Sequence, residues 1–300
     1  MKLAHVSDLH ILSLEGVGAG RFVNKRVSGY ANLRFKRNHV HNPEYVRGLF
    51  RRIREVKPDH VVITGDLTNL ALEAEFRAVQ AILMEELGMA PENVSIVPGN
   101  HDVYTRGADR ARRFLDYFAP NVTSDLSVAV DPWGAFPFVR FRGPLALIGL
   151  RTAVPRAPMI ASGELGTEQI EALRAIFAHP ELRKRLPVFL MHHPPINPRS
   201  RRSTFTKGLT DADWFCATLQ HLREGLVLHG HLHNRVHRRL STHEGNIDVV
   251  GATSASLDHE HMDAMAGFNL YEISNDGYLA NTEAWVMQGD SFVRREIPMS

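Results

Sequence analysis

Cysteine is nearly missing: Cys216 is the single one in 300 residues. One thiol excludes an internal disulfide framework and a zinc-ribbon ligand set, and it fits a reducing compartment. No apolar run reaches the roughly 18 residues that a membrane-spanning helix requires. The opening "MKLAHVSDLH" turns polar too early for a signal peptide, so the expectation is a soluble, cytoplasmic protein. An excess of either charge is also absent, with 35 Lys and Arg against 33 Asp and Glu. That balance speaks against a nucleic-acid partner and against an acidic disordered chain. The sequence shows no internal repeat, low-complexity tract or linker. With 44% hydrophobic residues it can bury a full core, and one domain spanning 1–300 is expected, with oligomerisation left open.

Short β-branched or apolar runs alternate with longer helical patterns, which points to an α/β sheet protein. "KLAHVS" (2–7), "HVVIT" (60–64), "VSIVP" (94–98), "LALIGL" (145–150), "PVFLMH" (187–192) and "GLVLHG" (225–230) read as buried strands. Further strands follow at "NIDVVGA", "GFNLYEI" and "SFVRREI", a β-rich part from about 245. One helix opens at Asn42 with Pro43 in its first turn, where a missing N–H is harmless. Others are expected from Leu70 to Leu87 with Gly88 as C-cap, from Ala108 to Phe118, from Thr167 as N-cap to Ala178, and from Thr210 as N-cap to Arg223.

Each early strand ends in polar chemistry: Asp8 and His10, then Asp66, then Asn100 and His101. In an open α/β sheet, ligands bind at the carboxyl ends of the strands, so residues far apart in sequence should meet there. Later strands repeat the pattern with His192 and His193, and with the pentapeptide "HGHLH" at 229–233. Two Asp, one Asn and at least four His exceed what one ion can coordinate, which makes two adjacent ions the natural reading.

The ordered set "SDLH" (7–10), "GDLTN" (65–69), "PGNHD" (98–102), "MHHPP" (191–195) and "HGHLH" resembles the five motifs of the calcineurin-like metallophosphoesterases, over roughly residues 1–235. The resemblance implies a four-layer α/β/β/α sandwich of two mixed sheets with flanking helices. It also implies that Asp8, His10 and His233 hold one ion, that Asn100, His192 and His231 hold the other, and that Asp66 bridges them. Mixed oxygen and imidazole ligands suit Mn, Fe or Zn. Two such ions, roughly 3.5 to 4 Å apart, lower the pKa of a shared water and align a phosphoryl group for in-line attack. His101 resembles the histidine that stabilises the transition state or protonates the leaving oxygen, and Asp102 is expected to orient it.

Other residues carry two readings each. Neighbours on a strand point to opposite sides, so His193 is expected to support the site rather than ligate. Gly230 lets the backbone leave the strand, making His229 a bystander. Asn69 reads as a structural hydrogen-bonder, and "DHEHMD" (258–263) as a solvated loop in preference to a third ion site. An insertion at about 16–42 carries Arg21, Lys25, Arg26, Arg34, Lys36 and Arg37 among Phe22, Val23, Val27, Tyr30, Leu33 and Phe35. It is either a solvated basic flap or, through 21–39, a contact for a lipid substrate or membrane surface. Arg199, Arg201 and Arg202 are candidates for a substrate's distal phosphate.

The leading functional expectation is a binuclear phosphodiesterase acting on a small nucleotide or nucleotide-like phosphoester. A pyrophosphohydrolase of a lipid nucleotide, of the UDP-diacylglucosamine type, and a phosphomonoesterase are the alternatives. A non-enzymatic scaffold on the same fold is disfavoured, because such relatives lose metal ligands and every expected position is filled here.

Overall fold

Period-two alternation along the central strands sets the layers of the computed structural model, which describes residues 1–22, 26, 41–196 and 200–300. Strands β1 (Lys2–Val6), β2 (His60–Ile63) and β3 (Val94–Ile96) run parallel. The other edge of β1 pairs antiparallel with β10 (Gly267–Ile273), followed by β11 (Leu279–Gln288) and β12 (Ser291–Arg295). The second sheet has the order β4 (Phe138–Arg142), β5 (Leu145–Gly149), β6 (Leu186–Leu190), β7 (Glu224–His229), β9 (Asn246–Gly251), β8 (Val236–Ser241), and its four middle strands are parallel. Leu145, Leu147, Val188, Leu190, Leu226 and Leu228 join the core shared with the first sheet, whereas Ala146, Ile148, Phe189 and Val227 face the other way. Strands buried on both faces read as continuous apolar runs, and this is how they divide.

Helices cover the outer faces, giving the expected four layers. On the first sheet α1 (Pro43–Val56) buries Val46, Leu49, Phe50 and Ile53, with the Asn42 side chain accepting from Glu44 N at 3.0 Å as its cap. There follow α2 (Glu73–Ile82), α3 (Arg106–Arg110) and α4 (Arg113–Phe118). On the second sheet α5 (Thr167–Ala178) and α7 (Ala212–Leu219) bury Leu173, Ile176, Phe215 and Leu219, while α6 (Arg201–Lys207) follows the "MHHPP" segment. Among the described residues no helix is long and apolar enough to cross a membrane.

Four of the expected helices have different boundaries, and the last of them also ends at Leu219 instead of Arg223. Leu70 to Leu72 are not helical, because the Glu75 carboxylate accepts from Leu70 N and Leu72 N, both at 3.0 Å, and Ala71 is held at φ 52. The stretch from Ala108 to Phe118 is two helices, broken where Arg112 turns left-handed at φ 50. Thr167 is the first residue of α5 and not its cap, which is Gly166. The last helix starts after Asp211 instead of Thr210, and the Asp211 carboxylate accepts from Leu165 N and Gly166 N. Gly88, at φ 66, closes the π-helical turn 83–87 that extends α2.

Two buried ionisable side chains stand out. Arg140 on β4 donates to carbonyls of Pro91, Val94, Pro120 and Thr123 and to the hydroxyls of Ser95 and Thr123, at 2.7 to 3.2 Å. It thereby fastens the β4 edge of one sheet to the β3 edge of the other. Replacing Arg140 with Ala leaves six acceptors without this donor, and we expect a loss of at least about 3 kcal/mol in chemical denaturation. Glu75 is the second: burial pushes its carboxyl up to about 8, against the pull of the Leu72 and Leu70 N–H groups. Its folded value therefore lies above the ordinary 4.5. Its stabilising contribution is fully present below that ordinary value and is lost as the pH rises through about 8. Glu75→Gln has no such titration, so the melting temperature of the wild type should fall relative to the variant across this window. A gap that does not change with pH would refute the assignment.

Candidate metal centre

The strand register brings the motif tips level. Val6 pairs with Ile63 and Ile63 with Ile96 in the first sheet, and Leu190 pairs with Leu228 in the second. A parallel bridge between Ser7 and Ser254 then joins the two sheets at this end. Asp8, His10, Asp66, His231 and His233 all have positive φ, from 49 to 70. A side chain pays a conformational cost in that region, and such strain concentrates where a site is over-determined by its surroundings. Residues 8 and 10, and 231 and 233, nevertheless share one cluster, with His10 and His233 on Asp8 and the His231 ring against His192. Gly99 and Gly230 permit the closest approaches: a Cβ at Gly99 would overlap Asp66, and one at Gly230 would overlap Ser7 and Asp8.

Each carboxylate is anchored by one oxygen and offers the other. Asp66 Oδ1 accepts from His101 N at 2.7 Å, and Asp8 Oδ2 accepts from His231 N at 3.0 Å. The second oxygens meet imidazoles. Asp8 Oδ1 is 3.0 Å from His233 Nε2, which is 3.1 Å from His10 Nε2. Asp66 Oδ2 is 3.3 Å from His192 Nε2 and 4.0 Å from His10 Nε2, and His192 Nε2 is 3.2 Å from Asn100 Oδ1. Donors bound to one ion at roughly 2.1 Å stand roughly 3.0 Å apart in octahedral and 3.4 Å apart in tetrahedral arrangement. The observed separations fit such sets, with Asp66 Oδ2 common to both.

Main-chain carbonyls fix the histidine tautomers. A ring nitrogen facing a carbonyl must carry the proton, leaving the lone pair on the other nitrogen. His192 Nδ1 donates to Thr64 O at 2.7 Å, and His231 Nε2 donates to Lys207 O at 2.8 Å. His192 therefore offers Nε2 and His231 offers Nδ1. His193 differs, since Nε2 donates to Ala161 O at 2.9 Å and Nδ1 accepts from Thr152 Oγ1 at 2.8 Å. Although it lies within ligand range of His192 and His231, both its nitrogens are occupied. His229 ends β7 buried, with Nδ1 on Gly230 O.

Burial alone would lower the His192 pKa, yet the neighbouring Asp66 and Asp8 raise it to about 9, so that without a cation a proton on His192 balances these carboxylates, and a bound cation would take that proton's place. Burial holds His10 well below the ordinary imidazole value, with His41 adding to this, and holds His231 down at about 3. His10 and His231 are thus neutral, as a metal-ligating imidazole must be. Among the described residues no Lys or Arg pairs with Asp8 or Asp66. Two buried carboxylates in this setting call for cations, and the imidazole and oxygen donors suit divalent transition metals.

His101 and Asp102 do not work as a pair. His101 Nδ1 donates to the Asn69 carbonyl at 2.7 Å, and its ring meets His10 edge-on with centroids 5.0 Å apart. The expected orienting role of Asp102 is corrected: its carboxylate accepts from Gly99 N, Leu67 N, Thr68 N and Thr68 Oγ1, which staples the "PGNHD" turn to the "GDLTN" turn. Asn69 does the orienting, while its Nδ2 donates to His10 O at 2.6 Å. A main-chain carbonyl leaves no signature in sequence. His41 was also missed, and its ring centroid lies 4.8 Å from that of His10.

Of the expected substrate arginines, Arg199 lies outside the described residues, as does the Arg201 side chain. Arg202 is exposed on α6, the helix whose Lys207 carbonyl holds His231. Within the insertion, Lys25, Arg34, Lys36 and Arg37 lie outside the described residues. Arg21 pairs with Glu73, and Arg26 is buried, donating to Leu70 O and Ala71 O. Phe22 packs on Leu70 and Leu72.

Comparison with known proteins agrees with this geometry. The family model for calcineurin-like phosphoesterases matches residues 1–235. Among solved structures, a dimetal phosphatase from Danio rerio shares 12% identity over 98% of each chain, with a TM-score of 0.59. A purple acid phosphatase from yellow lupin (Lupinus luteus) shares 14% identity over 94% of this chain and 53% of its own, with a TM-score of 0.53. No match was found among curated protein sequences. At these identities the two structures show a common fold, whereas the match over residues 1–235 shows descent: the chain belongs to the calcineurin-like phosphoesterase family, whose members are metal-dependent phosphoester hydrolases.

Proposed function

We propose that the chain is a two-metal phosphodiesterase for a small nucleotide or nucleotide-like phosphoester. The observation that carries this reading is the shared Asp66 Oδ2, which belongs at once to the His10 side and to the His192 side of the cluster. Asp8, His10 and His233 would hold one ion of Mn, Fe or Zn, and Asn100, His192 and His231 the other. Two bound divalent ions supply Lewis acidity and an activated water. The protein's own groups do the rest. Asp66 Oδ1 ties the bridging carboxylate to the backbone of His101, so the two move as one unit. His101, with its proton on Nδ1 held by Asn69, presents Nε2 as the nitrogen through which a proton reaches the leaving oxygen. Arg202 is taken as a candidate for a distal phosphate, supported by its position on α6, the helix whose Lys207 carbonyl meets His231.

Metal-reconstituted protein should hydrolyse bis(p-nitrophenyl) phosphate, and Asp66→Ala, Asn100→Ala and His231→Ala should each cut turnover by at least about a hundredfold. Retained turnover in these variants would sink the two-metal reading. His101→Ala should lower kcat by about 10² to 10⁴ and remove one limb of the pH–rate profile. Asp102→Asn should keep that limb and instead cost about 1 to 3 kcal/mol of stability, because an amide cannot accept all the bonds the carboxylate takes. A screen of cyclic nucleotides, lipid nucleotide diphosphates and monoesters tests the substrate class. A higher kcat/KM for the lipid or the monoester than for any diester would replace the proposed class with a pyrophosphohydrolase or a phosphomonoesterase.

A further inference from the structure

We infer that His41 is an additional ligand of the ion held by Asp8, His10 and His233, an inference that rests on the two-metal reading. His41 lies outside the five motifs, at the end of the insertion and one residue before the cap of α1. Ligand atoms of His10, His41 and His233 lie within 4.8 Å of one another. Donors around one ion at roughly 2.1 Å are roughly 3.0 Å apart when adjacent and 4.2 Å apart when opposite. The ring is seated edge-on to both partners, with centroids 4.8 Å from His10 and 5.9 Å from His233.

The backbone and side chain of His41 are both fixed. Its main chain bridges Leu257, and the next residue donates from Asn42 N to Ser256 O at 2.7 Å. Nδ1 lies 2.8 Å from Ser256 Oγ, Ser256 Oγ lies 3.2 Å from Ser254 Oγ, and Ser254 Oγ donates to Asp8 O at 2.6 Å. A ligating imidazole characteristically has its second nitrogen held by such a partner. Here the chain of hydroxyls runs from the His41 ring to the backbone of Asp8, a ligand of the same proposed ion. His41 thus gives that ion a fourth residue of its own beside the bridging Asp66. The further residue within range of the second set, His193, has both nitrogens engaged by Thr152 and Ala161 and offers no lone pair there. The two ions are therefore bound unequally, the first more tightly.

Cobalt(II) titration of metal-free full-length protein, followed by calorimetry and by the visible d–d absorption, tests this. Wild type should take up two equivalents of distinct affinity. His41→Ala should weaken one of them by at least about tenfold and change its absorption band, and it should be the same equivalent that His233→Ala removes. Ser256→Ala keeps the ring and removes the partner of Nδ1. It serves if His41→Ala fails to fold, and it should weaken that same equivalent by a smaller factor. Unchanged affinities and spectra in the folded His41→Ala or Ser256→Ala protein would overturn the inference while leaving the two-metal reading intact. An effect of His41→Ala on KM alone would likewise overturn it and make His41 a substrate contact. Wild type that binds fewer than two equivalents would sink both readings together.

Discussion

Two carboxylates, Asp8 and Asp66, are buried close together, where burial raises the cost of ionising each and the surrounding imidazoles hold both below the ordinary carboxylate range, and the rest of the structure is arranged around that balance. Among the described residues neither has a Lys or Arg partner, so imidazoles are the titratable groups that can bring positive charge to them. Buried like charges are expensive unless paired. The strained turns at residues 8, 10, 66, 231 and 233, the close packing allowed by Gly99 and Gly230, and the bridge between the sheets all hold these groups where only cations offset them.

The two carboxylates are built alike. Each uses one oxygen to accept from the backbone of a later motif and the other to meet imidazole nitrogens, so a proposed metal ligand also serves as a structural clip. Asp102 carries this further as clip alone, spending its acceptors on backbone N–H groups and Thr68 Oγ1. Position in a motif therefore does not settle whether an acid takes part in chemistry or in folding. The partners of its oxygens do.

What could be read from sequence follows the range of the forces involved. Strand tips were legible because period-two burial and terminal polar residues are local signals, and these place Asp8, His10, Asp66, Asn100, His192, His231 and His233 at one end of the sheets. Strand alternation does not separate His192 from His193, because both follow the end of β6 and both rings reach His231; the Thr152 and Ala161 contacts are what occupy His193. The orienting carbonyl of Asn69 and the approach of His41 depend on tertiary placement. No residue type or spacing announces either. The boundaries at Leu70 and Arg112 failed for the same reason, since a buried Glu75 and a left-handed residue overrode local helical preference.

The first strand is hydrogen-bonded on one side to β2 and on the other to β10, and the chain returns to it only at residues 267–273. During synthesis, β1 therefore waits with one edge uncovered until residues 267–273 have emerged. An unpaired edge of this kind is a template for aggregation. The centre matures equally late, because His233 and the Ser254 contact with Ser7 come from the same distant stretch. Chains stalled before residue 190 would carry the first three motifs without the histidines and serines that complete the cluster.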